Sequence, residues 1–129
     1  MTISLYAAIL ALLMMWLVVQ VVKTRRKNQV KYADGGVDEL IIARSAHANA
    51  AETIPIGLIL MALLELNDPN IWLLHIPATA FVAGRIIHCQ GILADEIPRR
   101  KLGMHMTVWS IVALAILNLI YLPYDKFMA

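Results

Sequence analysis

The chain has one cysteine, Cys89, so no disulfide can form within it and no cysteine metal cluster is possible. It is also short of charge: 16% of its 129 residues are Asp, Glu, Lys or Arg, while 60% are apolar. A soluble domain of this size carries more charge and less apolar surface. Repeats, low-complexity segments and linkers are missing, as are a Walker loop, a dinucleotide fingerprint and a nucleophile elbow. Their absence excludes the common nucleotide-binding and serine-hydrolase chemistries. No basic residue precedes the first apolar run, which is as long as a bilayer is thick, so a retained span is expected rather than a cleaved signal peptide.

What the chain has is four apolar runs. Ile3 to Val22 is uncharged. The second run covers Ala43 to Leu66, the third Ile71 to Ile92 and the fourth Gly103 to Leu122, ended by Pro123. Each has about the 20 residues that a membrane helix needs. Between them lie a basic segment with a turn at Asp34-Gly35-Gly36, a polar turn at Asn67–Asn70, and a charged loop, Asp95–Lys101. The expected fold is an all-α integral membrane protein, residues 1–129 forming a single domain of four transmembrane helices in an up-down bundle.

The basic residues orient the bundle. Lys23, Arg25, Arg26, Lys27 and Lys31 fall in the first connection, and Arg99, Arg100 and Lys101 in the third. Four spans put these connections on one side. Lys126 is the only Lys or Arg opposite. The positive-inside rule makes loops 23–42 and 93–102 cytoplasmic and both termini external.

Chemistry concentrates in the second span. Arg44-Ser45-Ala46-His47-Ala48-Asn49-Ala50-Ala51-Glu52 runs directly into an apolar stretch. An ionisable group inside a span costs about 2.5–3.5 kcal/mol on insertion scales and usually faces a partner or a wet cavity. On a helical wheel with Arg44 at 0°, Glu52 lies at about 80°, Ser45 at about 100°, Asn49 at about 140° and His47 at about 300°. Ser45, Asn49 and Glu52 therefore form one polar stripe with Arg44 at its edge, and His47 points toward another helix.

Arg85 on the third span, with His88 three residues on, offers Glu52 a cation. A Glu52–Arg85 clamp that fixes helix register and a polar ligand site built from the same groups are both open readings. Arg99-Arg100-Lys101 likewise reads either as positive-inside signal or as a source of a cation reaching the site. His47 and Asn49 lie about 160° apart, and the strong helical metal signal, two His at i and i+4, is absent, so no metal site is expected. Without broken helix pairs or repeats, the chain does not look like a transporter. Neither does it call for a nucleic-acid partner.

Several stretches together carry a resemblance. They are His47-x-Asn49-x-x-Glu52-x-x-Pro55, Gly84-Arg85-x-x-His88-x-x-Gly91, the basic end of the first helix, the Tyr32–Gly36 turn, and Arg100-Lys101-x-Gly103-Met104. In this order and spacing the chain resembles the MAPEG family, membrane-associated proteins of eicosanoid and glutathione metabolism, and its short bacterial members most closely. The resemblance implies a homotrimer in a bacterial inner membrane, with glutathione as co-substrate held between neighbouring protomers on the cytoplasmic side. It implies glutathione transfer or peroxidase chemistry on a lipophilic second substrate drawn from the membrane lipid.

By position, Asn49 and Glu52 match the family's glutathione-binding pair, Arg85 and His88 match third-helix site positions, and Lys23 or Arg25 matches a basic residue of the first helix. Arg100 and Lys101 fall where the family places a thiolate-stabilising arginine. Three positions depart from the family pattern. Ser45 stands where an arginine usually precedes the Asn, with Arg44 one residue early. Lys101 replaces an arginine, keeping the charge without the bidentate fork. Ile92 replaces a tyrosine. A non-catalytic protein that binds an anionic lipid or peptide-like ligand at the same site is the competing expectation.

Overall fold

Nothing between Ile3 and Val22 interrupts a helix: the run has neither Gly nor Pro. The first helix consequently continues through its apolar residues into the basic segment. The computed structural model describes residues 1–129, the side chain of Phe127 excepted. It contains α1 (Ile3–Asn28), α2 (Asp38–Leu66), α3 (Ile71–Leu93), α4 (Ile97–Ile120) and a short α5 (Tyr124–Met128). The first four are long and apolar enough to cross a membrane. The expected four-helix bundle is what forms.

Helix ends fall where local chemistry allows. Arg25, Arg26 and Lys27 occupy the last turn of α1, where cations complement the helix dipole. Gln29 then takes a left-handed conformation (φ 55°), and the Val30 N–H donates to the Arg25 carbonyl at 3.1 Å, closing the helix. Asp38 and Glu39 sit in the first turn of α2, at the favourable end of its dipole. The Asn70 side chain caps α3 by accepting from the Trp72 N–H at 3.1 Å.

Several boundaries differ from the hydropathy reading, beginning with α1, which runs six residues past Val22. α2 starts five residues earlier than Ala43, and α4 starts at Ile97 rather than Gly103, ending at Ile120. The charged loop therefore shrinks to Ala94–Glu96, and Arg99, Arg100 and Lys101 form the opening turns of α4. Hydropathy ends a span at its charges, but a helix requires only backbone bonds. Pro98 is tolerated in the first turn, where its missing N–H has no intrahelical partner to lose.

Packing is uneven. α3 and α4 form the closest pair, α1 rests mainly on α2, and the α1 and α4 backbones do not approach each other closely among the described residues. The α3–α4 approach depends on glycine. A Cβ on Gly91 would overlap the Arg100 backbone, and one on Gly103 would overlap the His88 backbone. Gly84 meets Met106 and Gly103 in the same way. Between α2 and α3, Gly57 makes room for the buried Phe81 ring.

Polar anchors tie the rest. The Asn118 amide donates to the Leu60 carbonyl at 2.9 Å, joining α4 to α2. At the opposite end of α2 from the basic connections, Glu65 accepts from the backbone N–H groups of Thr2 and Ile3, capping α1 from a distant helix. Much of α1 and α4, and one face of α2, remains uncovered by the chain itself.

Candidate functional site

The most buried charge in the protein is Arg85, only 1% exposed. Such a guanidinium needs every donor aimed at an acceptor. Its Nε donates to Thr107 Oγ1 on α4 at 3.0 Å. Its Nη1 donates to Asn49 Oδ1 on α2 at 2.7 Å and to Thr53 Oγ1 beside it. One α3 side chain thus knits α2 and α4 together. All these acceptors are neutral, and Nη2 has no protein partner.

This corrects the clamp reading. Glu52 does not pair with Arg85: the ion pairs among the described residues are Lys27–Glu39, Arg44–Asp34 and Arg99–Glu96. Glu52 lies on the exposed face of α2 with Ser45, Ala48, Pro55, Ile56 and Ile59. Asn49, the third member of the expected stripe, is half-buried and turned toward α3. The wheel angles separate them enough for α3 to take Asn49 and leave Glu52 outside. Glu52 is the midpoint of α2, about 21 Å along the axis from either end. A carboxylate there facing lipid hydrocarbon is unfavourable.

One turn beyond Arg85, His88 is 2% exposed. Its Nδ1 lies 2.9 Å from the Arg100 carbonyl oxygen. A carbonyl only accepts, so Nδ1 carries the proton and, in the neutral ring, Nε2 is a bare acceptor with no protein partner. His88 is thereby placed against α4's backbone rather than in an open site. Arg100 and Lys101 are both exposed, and Arg99 is paired with Glu96 at 3.2 Å.

A separate cleft of about 550 Å³ opens between α1 and α2 near their basic ends. Val18, Val21, Val22 and Ile41 form its apolar wall, and Arg25, Asp34, Arg44, Ser45 and His47 its polar side. His47 does face a neighbouring helix, as its wheel angle implies. Both arginines are held. Arg25 Nη1 donates to the Ala33 carbonyl at 2.8 Å, and Arg44 Nη1 lies 3.3 Å from Asp34 Oδ2. Asp34's other oxygen accepts from the Gly36 N–H at 2.9 Å, so the turn after α1 fixes the Arg44 head. Of the two α1 candidates, Arg25 lines the cleft and Lys23 does not.

The expected site residues are therefore not brought together: Arg25 and Arg44 line the cleft and Asn49 meets Arg85 in the bundle, while Glu52, Lys23, Arg100 and Lys101 stand outside both and His88 packs against α4. Thr53, Thr107 and Asp34 hold these groups and were not among the expected residues. Thr53 had a signal, since it sits one turn from Asn49 on the same face. Thr107 had none, because its meeting with Arg85 depends on how α3 and α4 pack.

The MAPEG family model matches residues 3–120. This chain belongs to the MAPEG family. Within the same frame, it is 37% identical over 122 residues to the inner membrane protein YecN of Escherichia coli K12, covering 95% of this chain and 93% of that protein. The YecN protein of Escherichia coli O6:H1 matches to the same extent. A four-span chain of this family, with an inner-membrane relative matched over 95% of its length, is a multi-pass protein of the bacterial inner membrane.

Proposed function

We propose that this MAPEG protein binds glutathione at its cytoplasmic side between adjacent copies of the chain, as a homotrimer, and uses the glutathione thiolate against lipophilic electrophiles or peroxides. The observation that carries the reading is the split of polar groups across α2. The Arg25–Arg44 cleft and the Glu52 face point away from the Asn49–Arg85 hub. One copy cannot bring these groups around a single ligand. A second copy laid against the exposed face of α2 can, and it also removes Glu52 from lipid.

The chemistry fits a peptide-like thiol with charged ends. Arg85 occupies Asn49 Oδ1, so the Asn49 amide presents its N–H₂ outward as a donor for a ligand carbonyl or carboxylate. Glu52 offers an acceptor for an ammonium. Arg25, Arg44 and Lys23 supply cations for carboxylates. A free thiol with a pKa near about 8.5 is mostly protonated at neutral pH, and a cation beside the sulfur raises its thiolate fraction. Arg100 and Lys101 are the candidates for that cation. The thiolate then attacks an electrophilic carbon, forming a C–S bond as the leaving group departs. With a hydroperoxide, two glutathiones give the disulfide, an alcohol and water.

Calorimetry on the detergent-purified protein tests the reading, with Glu52→Gln alongside. Saturable glutathione binding that weakens in Glu52→Gln supports it. Absence of binding at millimolar glutathione overturns it. A second reading is favoured by the valine wall beneath Arg25 and Arg44, which suits an anionic inner-leaflet lipid held without catalysis. Retention of anionic lipid through purification, weakened in Arg25→Ala and unaffected by glutathione, favours that alternative.

A further inference from the structure

Arg100 and Lys101 have exposed side chains at the start of a helix, and a cation can serve a bound anion only if its backbone is held. The structure holds this backbone in an unusual way. α4 opens without a side-chain cap. Its first two turns instead lie directly on α3, where Gly91 faces the Arg100 backbone and Gly103 faces the His88 backbone, both too close to admit a Cβ. Between the two glycines, the His88 ring donates from Nδ1 to the Arg100 carbonyl at 2.9 Å. His88 is 2% exposed, and it lines neither the α1–α2 cleft nor the apolar grooves that Trp72 and Met106 border between α3 and α4.

We propose that His88 is a positioning residue. It pins the first turns of α4 to α3 through the Arg100 carbonyl, and so sets where the Arg100 and Lys101 side chains stand. Its contribution to thiol chemistry rests on the glutathione reading above; its pinning of α4 does not. The two glycines bring the backbones together, and the imidazole fixes their register along the axis. Ligand contact by His88 itself is not needed for this role, which separates it from Asn49, Glu52 and the cleft arginines. The requirement is narrow: an N–H at the position of Nδ1. His88→Asn places an amide N–H there. His88→Gln carries its amide one methylene further and does not, and His88→Leu has no donor.

The experiment is amide hydrogen exchange across residues 97–104 in the purified protein without ligand, paired with the ultraviolet thiolate absorbance of bound glutathione. Loss of one buried hydrogen bond is expected to speed exchange of this segment about five- to tenfold in His88→Leu and His88→Gln, with α1 and α2 unchanged. His88→Asn is expected to return to the wild-type rate. If His88→Leu fails to fold, the Asn–Gln contrast alone decides. Equal exchange in the Asn and Gln variants overturns the pin.

In the second arm, the thiolate signal is expected to fall in His88→Gln and recover in His88→Asn, with the glutathione dissociation constant changed less than twofold. An unchanged thiolate signal despite faster exchange overturns the link to the cations. If the wild type binds no glutathione, the functional reading fails, and the exchange arm still decides whether His88 holds α4.

Discussion

Arg85 Nη1 lies 2.7 Å from Asn49 Oδ1, and this bond dictates which way the Asn49 amide faces. Arginine only donates, so the amide oxygen must turn inward and the NH₂ outward. A fully buried cation thereby determines what a half-buried neighbour can offer a ligand. It also makes the two residues unequal in mutation. Asn49→Leu strips an acceptor from a buried charge and is expected to cost about 1–3 kcal/mol. Arg85→Met removes the charge and keeps much of its volume, so it is expected to be closer to neutral in stability. Chemical unfolding in mild detergent measures both. A larger loss for Arg85→Met than for Asn49→Leu contradicts this account of the hub.

The α3–α4 seam predicts steric sensitivity. Gly91→Ala and Gly103→Ala each push a methyl group into the backbone of the facing helix. Each is expected to lower stability by about 1–3 kcal/mol. Wild-type stability in both would mean that the helices do not approach as closely as the glycines allow.

Glu65 bridges the end of α2 and the start of α1 by accepting from the Thr2 and Ile3 N–H groups. Glu65→Ala is expected to cost about 0.5–2 kcal/mol, the range for losing a helix cap. Amide exchange at the first turn of α1 should rise in step. Slow exchange retained in the variant would show that this turn holds without the carboxylate.

Assembly along α2 is open to crosslinking, because the native thiol, Cys89, is buried. Ile56→Cys lies on the exposed α2 face near Glu52 and is expected to link copies in native membranes. Trp109→Cys on α4 is two-thirds exposed, borders the groove between α3 and α4, and serves as the comparison. Linkage at position 109 and none at position 56 would place the contact between copies elsewhere.

The basic connections predict orientation. A reporter active only outside the cytoplasm is expected to work when fused after Ala129 and to fail when inserted at Gly36. The reverse pattern would invert the bundle and move the Arg25–Arg44 cleft to the outer side.

Four spans, the polar turns and the grouping of basic residues at one end of the bundle can be read from the chain alone. Those features depend on runs of neighbouring residues and on a bilayer thickness that is the same for every protein. The His47 direction was also legible, since one helical angle suffices to turn it away from Asn49. The partner of Arg85 emerges only once the helices pack. Glu52 is the stronger electrostatic match, yet Asn49, Thr53 and Thr107 take the guanidinium. The choice depends on the rotation of α2 about its axis and on the register of α3 against α4. Both are set by close approaches at Gly57, Gly91 and Gly103, between residues far apart in the chain. A helical wheel carries no information about which neighbour each face meets. Hydropathy misplaced the start of α4 for a related reason, since it follows transfer to lipid and the helix follows its backbone bonds.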